Sequence, residues 1–197
     1  MEYLDIVDRQ GRPTGRIISR EEAHRDGVRH RTAHLWIVRK NSDVWQILMQ
    51  KRSPEKDSFP GMYDTSSAGH IPAGDEPLES ALRELAEELG IHASPEQLRY
   101  AGAFDIQYEK VFHGRPFRDN ERSWVYVYLE PVNAADLTLQ AEEVSRVDWF
   151  DLELTWAALP TRRDVFCVPT PGMAVLRAFL NGGPGGNGES RGGVAVR

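Results

Sequence analysis

Cysteine occurs once in 197 residues, at Cys167. One thiol excludes a disulfide within the chain, and its apolar setting, VFCVP, reads as core. Long apolar runs are missing as well: none approaches the roughly 20 residues that span a bilayer. There is no basic excess. Lys and Arg number 24 against 30 Asp and Glu, a formal charge of -6, which argues against a general binder of nucleic-acid polymers or anionic membranes. The opening MEYLDIVDRQ lacks the basic-then-apolar order of a secretory signal, so the cytoplasm is the default expectation. Internal repeats are not apparent.

What is present suits a globular domain. Hydrophobic residues make up 40% and charged ones 27%, ordinary values for a soluble protein with a real core. One domain is expected over residues 1–180. The stretch from 181 to 197, NGGPGGNGESRGG and onward, is too polar and Gly-rich to repay its ordering entropy and is expected to be a disordered tail.

Along the chain, YLDIVD reads as a strand and RQGRPTG as a turn. Ser19 caps a helical turn, with Glu22 placed for a capping box. AHLWIVR and VWQILMQKR, β-rich and separated by KNSD, form a hairpin. A turn-rich loop with short strand segments leads to the acidic helix. LRYAGAFDIQYEKVF and RSWVYVYLEPV are long strands joined around HGRP, RVDWFDL adds another strand, and TPGMAVLRAFL closes as an amphipathic helix.

The acidic helix repays closer reading. Asp75 suits an N-cap, Pro77 the first turn and Gly90 a left-handed stop. Leu78, Leu82, Leu85 and Leu89 line one face. Glu84, Glu87 and Glu88 stand at i, i+3 and i+4 on another, where like charges cost roughly 0.2–0.5 kcal/mol per pair. Arg83 can pair with Glu87 at i+4 but cannot neutralise all three. A hard divalent cation, which takes carboxylate and phosphate oxygens together, can.

Gly69, Arg83, Glu84, Leu85, Glu87, Glu88, Gly90 and Ile91 stand in register with the Nudix box, which the segment Gly69–Ile91 resembles; Asp75 takes the place of the box's first glutamate. The resemblance implies an α/β/α sandwich with a mixed sheet and hydrolysis of a small organic diphosphate, of nucleoside-diphosphate or related type, by water. It implies Mg²⁺ or Mn²⁺ on Glu84, Glu87 and Glu88, a glutamate oriented by Arg83, and close backbone approach at Gly69. Glu88, or Glu142 or Glu143 further on, is a candidate base.

Outside the box, the order HRDGVRHRTAHLWIV, then QKRSPEKDSFPGMYDTSSAGH, is similar to the isopentenyl-diphosphate-isomerase-like branch of Nudix proteins, roughly from Tyr3 to Phe150. Isomerases keep a cysteine where Ala68 stands, and a methyl group cannot move protons at carbon, so hydrolysis is favoured over isomerisation. The alternatives are isomerase-like activity or a catalytically silent ligand sensor. The branch also implies a second metal position at His24, His30, His70, Asp119 and Glu121, whose imidazoles suit Mn²⁺ or Zn²⁺ more than Mg²⁺. His34 reads instead as a satisfied core or edge histidine. Lys51 and Arg52 lie where the family puts a phosphate-facing cation. Phe59 and Tyr63 of FPGMYD read as core, as do the dispersed tryptophans. The sequence leaves open the organic group of the substrate and the choice between monomer and homodimer.

Overall fold

The computed structural model describes residues 2–183, so the expected tail lies outside the described residues from position 184 onward. The chain begins with β1 (Tyr3–Val7), β2 (Pro13–Ser19), α1 (Arg20–Asp26), β3 (His30–Asn41) and β4 (Val44–Arg52). Then come β5 (Tyr63–Asp64), β6 (Ser67–His70), α2 (Pro77–Leu89), β7 (Leu98–Phe112) and β8 (Arg115–Tyr128). It ends with β9 (Val144–Asp151), α3 (Leu152–Ala158) and α4 (Thr170–Leu180).

Strand alternation produces the layers. Leu35 and Ile37 of β3 and Tyr126 and Tyr128 of β8 pack with Ala81, Leu85 and Leu89 of α2. Their neighbours Trp36, Val38, Val125 and Val127 point the other way, toward Leu152 of α3 and Met173 and Leu176 of α4. Period-two alternation thus gives two cores on the two faces of one sheet. Each fully buried leucine contributes about 1.5–3 kcal/mol. The sheet is mixed: β3 and β8 run parallel, and the other pairs are antiparallel. This is the α/β/α sandwich with a mixed sheet that the resemblance implied. A separate two-stranded ribbon, β1–β2, flanks it.

The hairpins turn where polar residues accept the left-handed region. Ser42 (φ 45°) and Asp43 (φ 70°) join β3 to β4, and His113 (φ 49°) with Gly114 (φ 75°) joins β7 to β8. Ser19 caps α1, its hydroxyl accepting from Glu22 N and donating to the Glu22 carboxylate at 2.6 Å. Gly90 ends α2 at φ 70°.

Three expectations need correction. RQGRPTG is only partly turn, because Pro13 already opens β2. The N-cap of α2 is Glu76, without a side-chain cap, since Asp75 is drawn away to Arg83. Helix α3 was not foreseen; Asp151 caps it by accepting from Leu154 N.

β6 decides where the site lies. It pairs with the first half of β3, Thr32 to Leu35, whereas β4 pairs with the second half, Ile37 to Asn41. Ser66 fills the divergence, accepting from Ile37 N and donating to Leu48 O. The cleft opens beside that split.

Candidate active site

A cleft of about 600 Å³ is lined by Glu84, Glu87 and Glu88 of α2 and also by His24, His70, Asp119 and Glu121. Two groups of candidate ligands therefore share one opening.

The glutamates occupy three environments. Glu87 is exposed, Glu84 half-buried, and Glu88 only 4% exposed. Glu88 Oε2 accepts from Gln50 Nε2 and from Ala68 N, both at 3.3 Å. Burial, and then the Glu84 charge, push its carboxyl up to about 8. Burial also raises Glu84, against the opposing pull of Arg83. Arg83 donates to Glu84 Oε1 at 3.0 Å, to Asp75 at 3.0 Å and to the His70 carbonyl at 3.3 Å. It thus orients a glutamate as the resemblance implied, but its i+4 pairing with Glu87 gives way to these partners. Gly69 has a steric reason: a Cβ there would meet Glu84 Cδ at 2.2 Å. The close approach that it permits is by the carboxylate of α2.

The second group is assembled from α1, β3, β6 and β8. Ligand atoms of His24, His30, His70 and Glu121 all lie within 4.8 Å of one another. Asp119 Oδ1 stands 3.8 Å from His24 Nε2 and 4.0 Å from His30 Nε2, and Glu121 Oε1 stands 3.6 Å from His30 Nε2. His30 Nε2, His70 Nε2 and Asp119 Oδ1 are buried without hydrogen-bond partners. Outer contacts fix the rings: His24 Nδ1 and His30 Nδ1 each lie 2.9 Å from a backbone carbonyl, of Arg20 and Val28. Thr32 donates to Glu121 Oε2 at 3.0 Å and shares a 2.8 Å bond with Ser123.

The charges inside this group are divided. Burial, then the neighbouring His30, bring His24 down to about 4 and hold His70 well below the usual histidine range. Burial opposes the protonation of His30, but the Glu121 carboxylate outweighs it and raises His30. Burial likewise works to raise Glu121, and the histidines overcome it and hold Glu121 low. Asp119, buried beside that charge, is pushed up to about 8. Orphaned buried donors and acceptors converging at these distances fit a divalent cation with nitrogen and oxygen ligands. Oxygen ligands alone, as on α2, fit Mg²⁺.

The remaining expectations divide. Arg52 lines the cleft but is held by Asp64 at 3.2 Å and by Ser58. Lys51 does not line it; the side chain lies over Tyr63, 5.8 Å from the ring centre, because strand alternation sends it away from Arg52. Sequence reasoning missed Lys56, which lines the cleft paired with Glu143. Glu142 is exposed and stands outside it. Cys167 is half-buried at the cleft wall and donates to the Tyr63 carbonyl at 3.3 Å. Tyr63 is core, as expected, whereas Phe59 lies half-buried between Tyr108 and Phe112, edge-on to both rings. His34 is buried but not satisfied: its Nδ1 has no partner.

The NUDIX domain family model matches residues 28–166, well over half of the chain. The chain is a Nudix hydrolase. Divalent-metal dependence is typical of that family. This Nudix hydrolase is 42% identical over 154 residues to Nudix hydrolase 3 of Arabidopsis thaliana, a match covering 77% of the chain but 19% of that relative. It is 41% identical over 143 residues to an uncharacterized Nudix hydrolase of Clostridium acetobutylicum, covering 73% of the chain and 66% of the relative. The chain thus spans under two thirds of the length of both. YfcD of Escherichia coli K12, an uncharacterized Nudix hydrolase, is 32% identical over 152 residues and covered to 75%.

Among solved structures, DR0079 of Deinococcus radiodurans matches with a TM-score of 0.66 at 21% identity, covering 90% of this chain and 99% of that one. A Caenorhabditis elegans Ap4A hydrolase binary complex matches at 0.53 and 24%, covering 77% and 98%. These likenesses carry the fold of the Nudix hydrolase, not its substrate.

Proposed function

We propose that this Nudix hydrolase cleaves the diphosphate linkage of a small organic diphosphate by attack of water at phosphorus. The observation that carries this reading is the shared cleft, where the box carboxylates Glu84, Glu87 and Glu88 stand beside a second set of ligands and five cationic side chains, Arg52 and Lys56 among them. Glu84, Glu87 and Glu88 would hold Mg²⁺ or Mn²⁺. His24, His30, His70, Asp119 and Glu121 would hold a second ion of Mn²⁺ or Zn²⁺ type. A bound divalent cation supplies neutralisation of phosphoryl charge and a more acidic water.

The side chains do the rest. Arg83 keeps Glu84 turned to the cleft by its 3.0 Å bond. Arg52 and Lys56 offer positive charge to the phosphates, although each must share it with a carboxylate partner. Glu88, held at the cleft by Gln50 and Ala68 N, is one candidate for the group that takes a proton from the attacking water. Glu143, at the cleft with Lys56, is the other candidate for that step.

The likeness to the isomerase-like branch is carried by segment order and by the five-residue second group. Ala68 carries a methyl group where an isomerase would carry a thiol, and this favours hydrolysis. The test is a screen of the purified protein against nucleoside diphosphate derivatives and isoprenoid diphosphates, with Mg²⁺ and Mn²⁺ supplied separately. Phosphate-containing products that need the metal and disappear in Glu87→Gln or Glu88→Gln are expected. Tight binding with no hydrolysis across the panel would leave a ligand sensor, and robust conversion to dimethylallyl diphosphate would overturn the hydrolytic reading.

A further inference from the structure

His34 is a polar side chain on the cleft that neither ligand group employs. It lies in β3 four residues beyond His30 and two beyond Thr32, so alternation puts all three on one face of the sheet. Its neighbours across the sheet are Ala68, whose N–H donates to Glu88, and Val125. The imidazole meets the Phe104 ring edge-on at 5.2 Å and is 7% exposed, and the residue lines the cleft. Buried Nδ1 has no hydrogen-bond partner. Burial lowers the ring's pKa, against the opposing carboxylates of Glu121 and Asp64.

A buried imidazole nitrogen without a partner is rare in native proteins and calls for an explanation. Packing alone does not supply one, because an apolar ring would fill the same place against Phe104. The surroundings suggest another. The cations that line the cleft are already engaged: Arg20 with Glu2, Arg52 with Asp64, Lys56 with Glu143, Arg163 with the Val168 carbonyl and Thr170, and Lys110 over the Phe59 ring. An anionic ligand entering a cleft walled by carboxylates needs donors that are not already taken. His34 forms no ion pair with Glu121 or Asp64 among the described residues, and an imidazole carries an N–H that can serve as a donor.

We infer that His34 is a substrate-contacting residue that donates an imidazole N–H to a phosphoryl oxygen of the bound diphosphate. This rests on the proposed reading that the cleft takes a diphosphate. His34 then fixes the phosphate between the box carboxylates and the histidine–acid group, so its loss should act on binding more than on turnover.

The test uses the full chain and inorganic pyrophosphate with Mg²⁺, titrated calorimetrically into wild type, His34→Phe and His34→Gln. His34→Phe keeps the ring packing and removes both nitrogens. It should fold at least as stably as wild type and bind pyrophosphate about tenfold to a hundredfold more weakly, the worth of one hydrogen bond to a charged group. His34→Gln, which restores an N–H, should recover part of that loss, and KM for a hydrolysed substrate should rise more than kcat falls.

Should His34→Phe fail to fold, ¹⁵N-histidine spectra of the wild-type protein serve instead: the His34 ring nitrogens should shift on adding Mg²⁺–pyrophosphate. Wild-type affinity in a folded His34→Phe, or unmoved ring resonances at saturation, overturns the inference alone. A wild-type protein that neither binds pyrophosphate nor hydrolyses any diphosphate overturns the proposed function and this inference together.

Discussion

Glu84, Glu87 and Glu88 come from five consecutive residues of one helix, whereas His24, His30, His70, Asp119 and Glu121 come from four separate elements. The two sets share a cleft and are built in opposite ways. On α2 the carboxylates are held by protein partners, Arg83 for Glu84 and Gln50 with Ala68 for Glu88, and Glu87 is open to solvent. In the other set, three buried polar atoms have no partner, and four ligand atoms already lie within 4.8 Å. Local spacing gathers charges on one helix; long-range folding gathers them from separate elements. The first arrangement suits a cation that arrives with substrate. Under the proposed function the second would suit a resident ion, and binding there would add to folding stability because the unfolded chain has no such site.

The sharpest way to break the comparison is Glu88→Gln. It should lower kcat on the order of 10²-fold or more, as loss of a general base does. The Mn²⁺ or Zn²⁺ content, measured by elemental analysis, should stay at the wild-type level. An unchanged kcat would move the base to Glu143. If the transition-metal content falls as well, the two groups are not independent.

Acidity offers a second lever. In the folded, metal-free chain Glu88 titrates near 8, against an ordinary value of 4.5 when unfolded. Its contribution to stability is therefore complete below about pH 4.5 and is lost as pH rises through about 8. Urea unfolding in chelator should show wild type losing stability relative to Glu88→Gln across that window, on the order of a few kcal/mol. Saturating Mg²⁺, which takes the ionised form, should flatten the difference.

Thr32→Val probes the other group through a residue that touches Glu121 rather than a proposed ligand. Outer contacts of this kind are worth about 10–100-fold in metal affinity. Calorimetry with Mn²⁺ or Zn²⁺ should register that loss, and Mg²⁺-dependent binding at α2 should not. Gly69→Ala is the converse and the smallest change. Its new methyl would sit 2.2 Å from Glu84 Cδ, so Glu84 must move, at a cost of about 1–3 kcal/mol in thermal unfolding. Transition-metal affinity should persist, with activity reduced.

Much of this was legible in the sequence because it is local. The heptad-like leucines of α2, the Gly90 stop, the β3–β4 and β7–β8 hairpins and the closing helix all follow from spacing over a few residues. The failures were local rules overruled by distant partners. Asp75 left the cap for Arg83, Lys51 turned to Tyr63, and His34, read as satisfied, is buried without a bond at Nδ1. Lys56 gave no signal, since its place on the cleft depends on Glu143, 87 residues away in sequence.

By itself, the sequence determined the box helix, the family that it resembles and the alternation that makes two cores, because periodicity is a property of neighbouring residues. Only the tertiary structure decided which side chains meet. It brought His24, His30, His70, Asp119 and Glu121 to one point, divided three glutamates among three environments and left His34 unpartnered. Burial and electrostatic pairing are set by residues far apart along the chain, and no spacing rule carries that information.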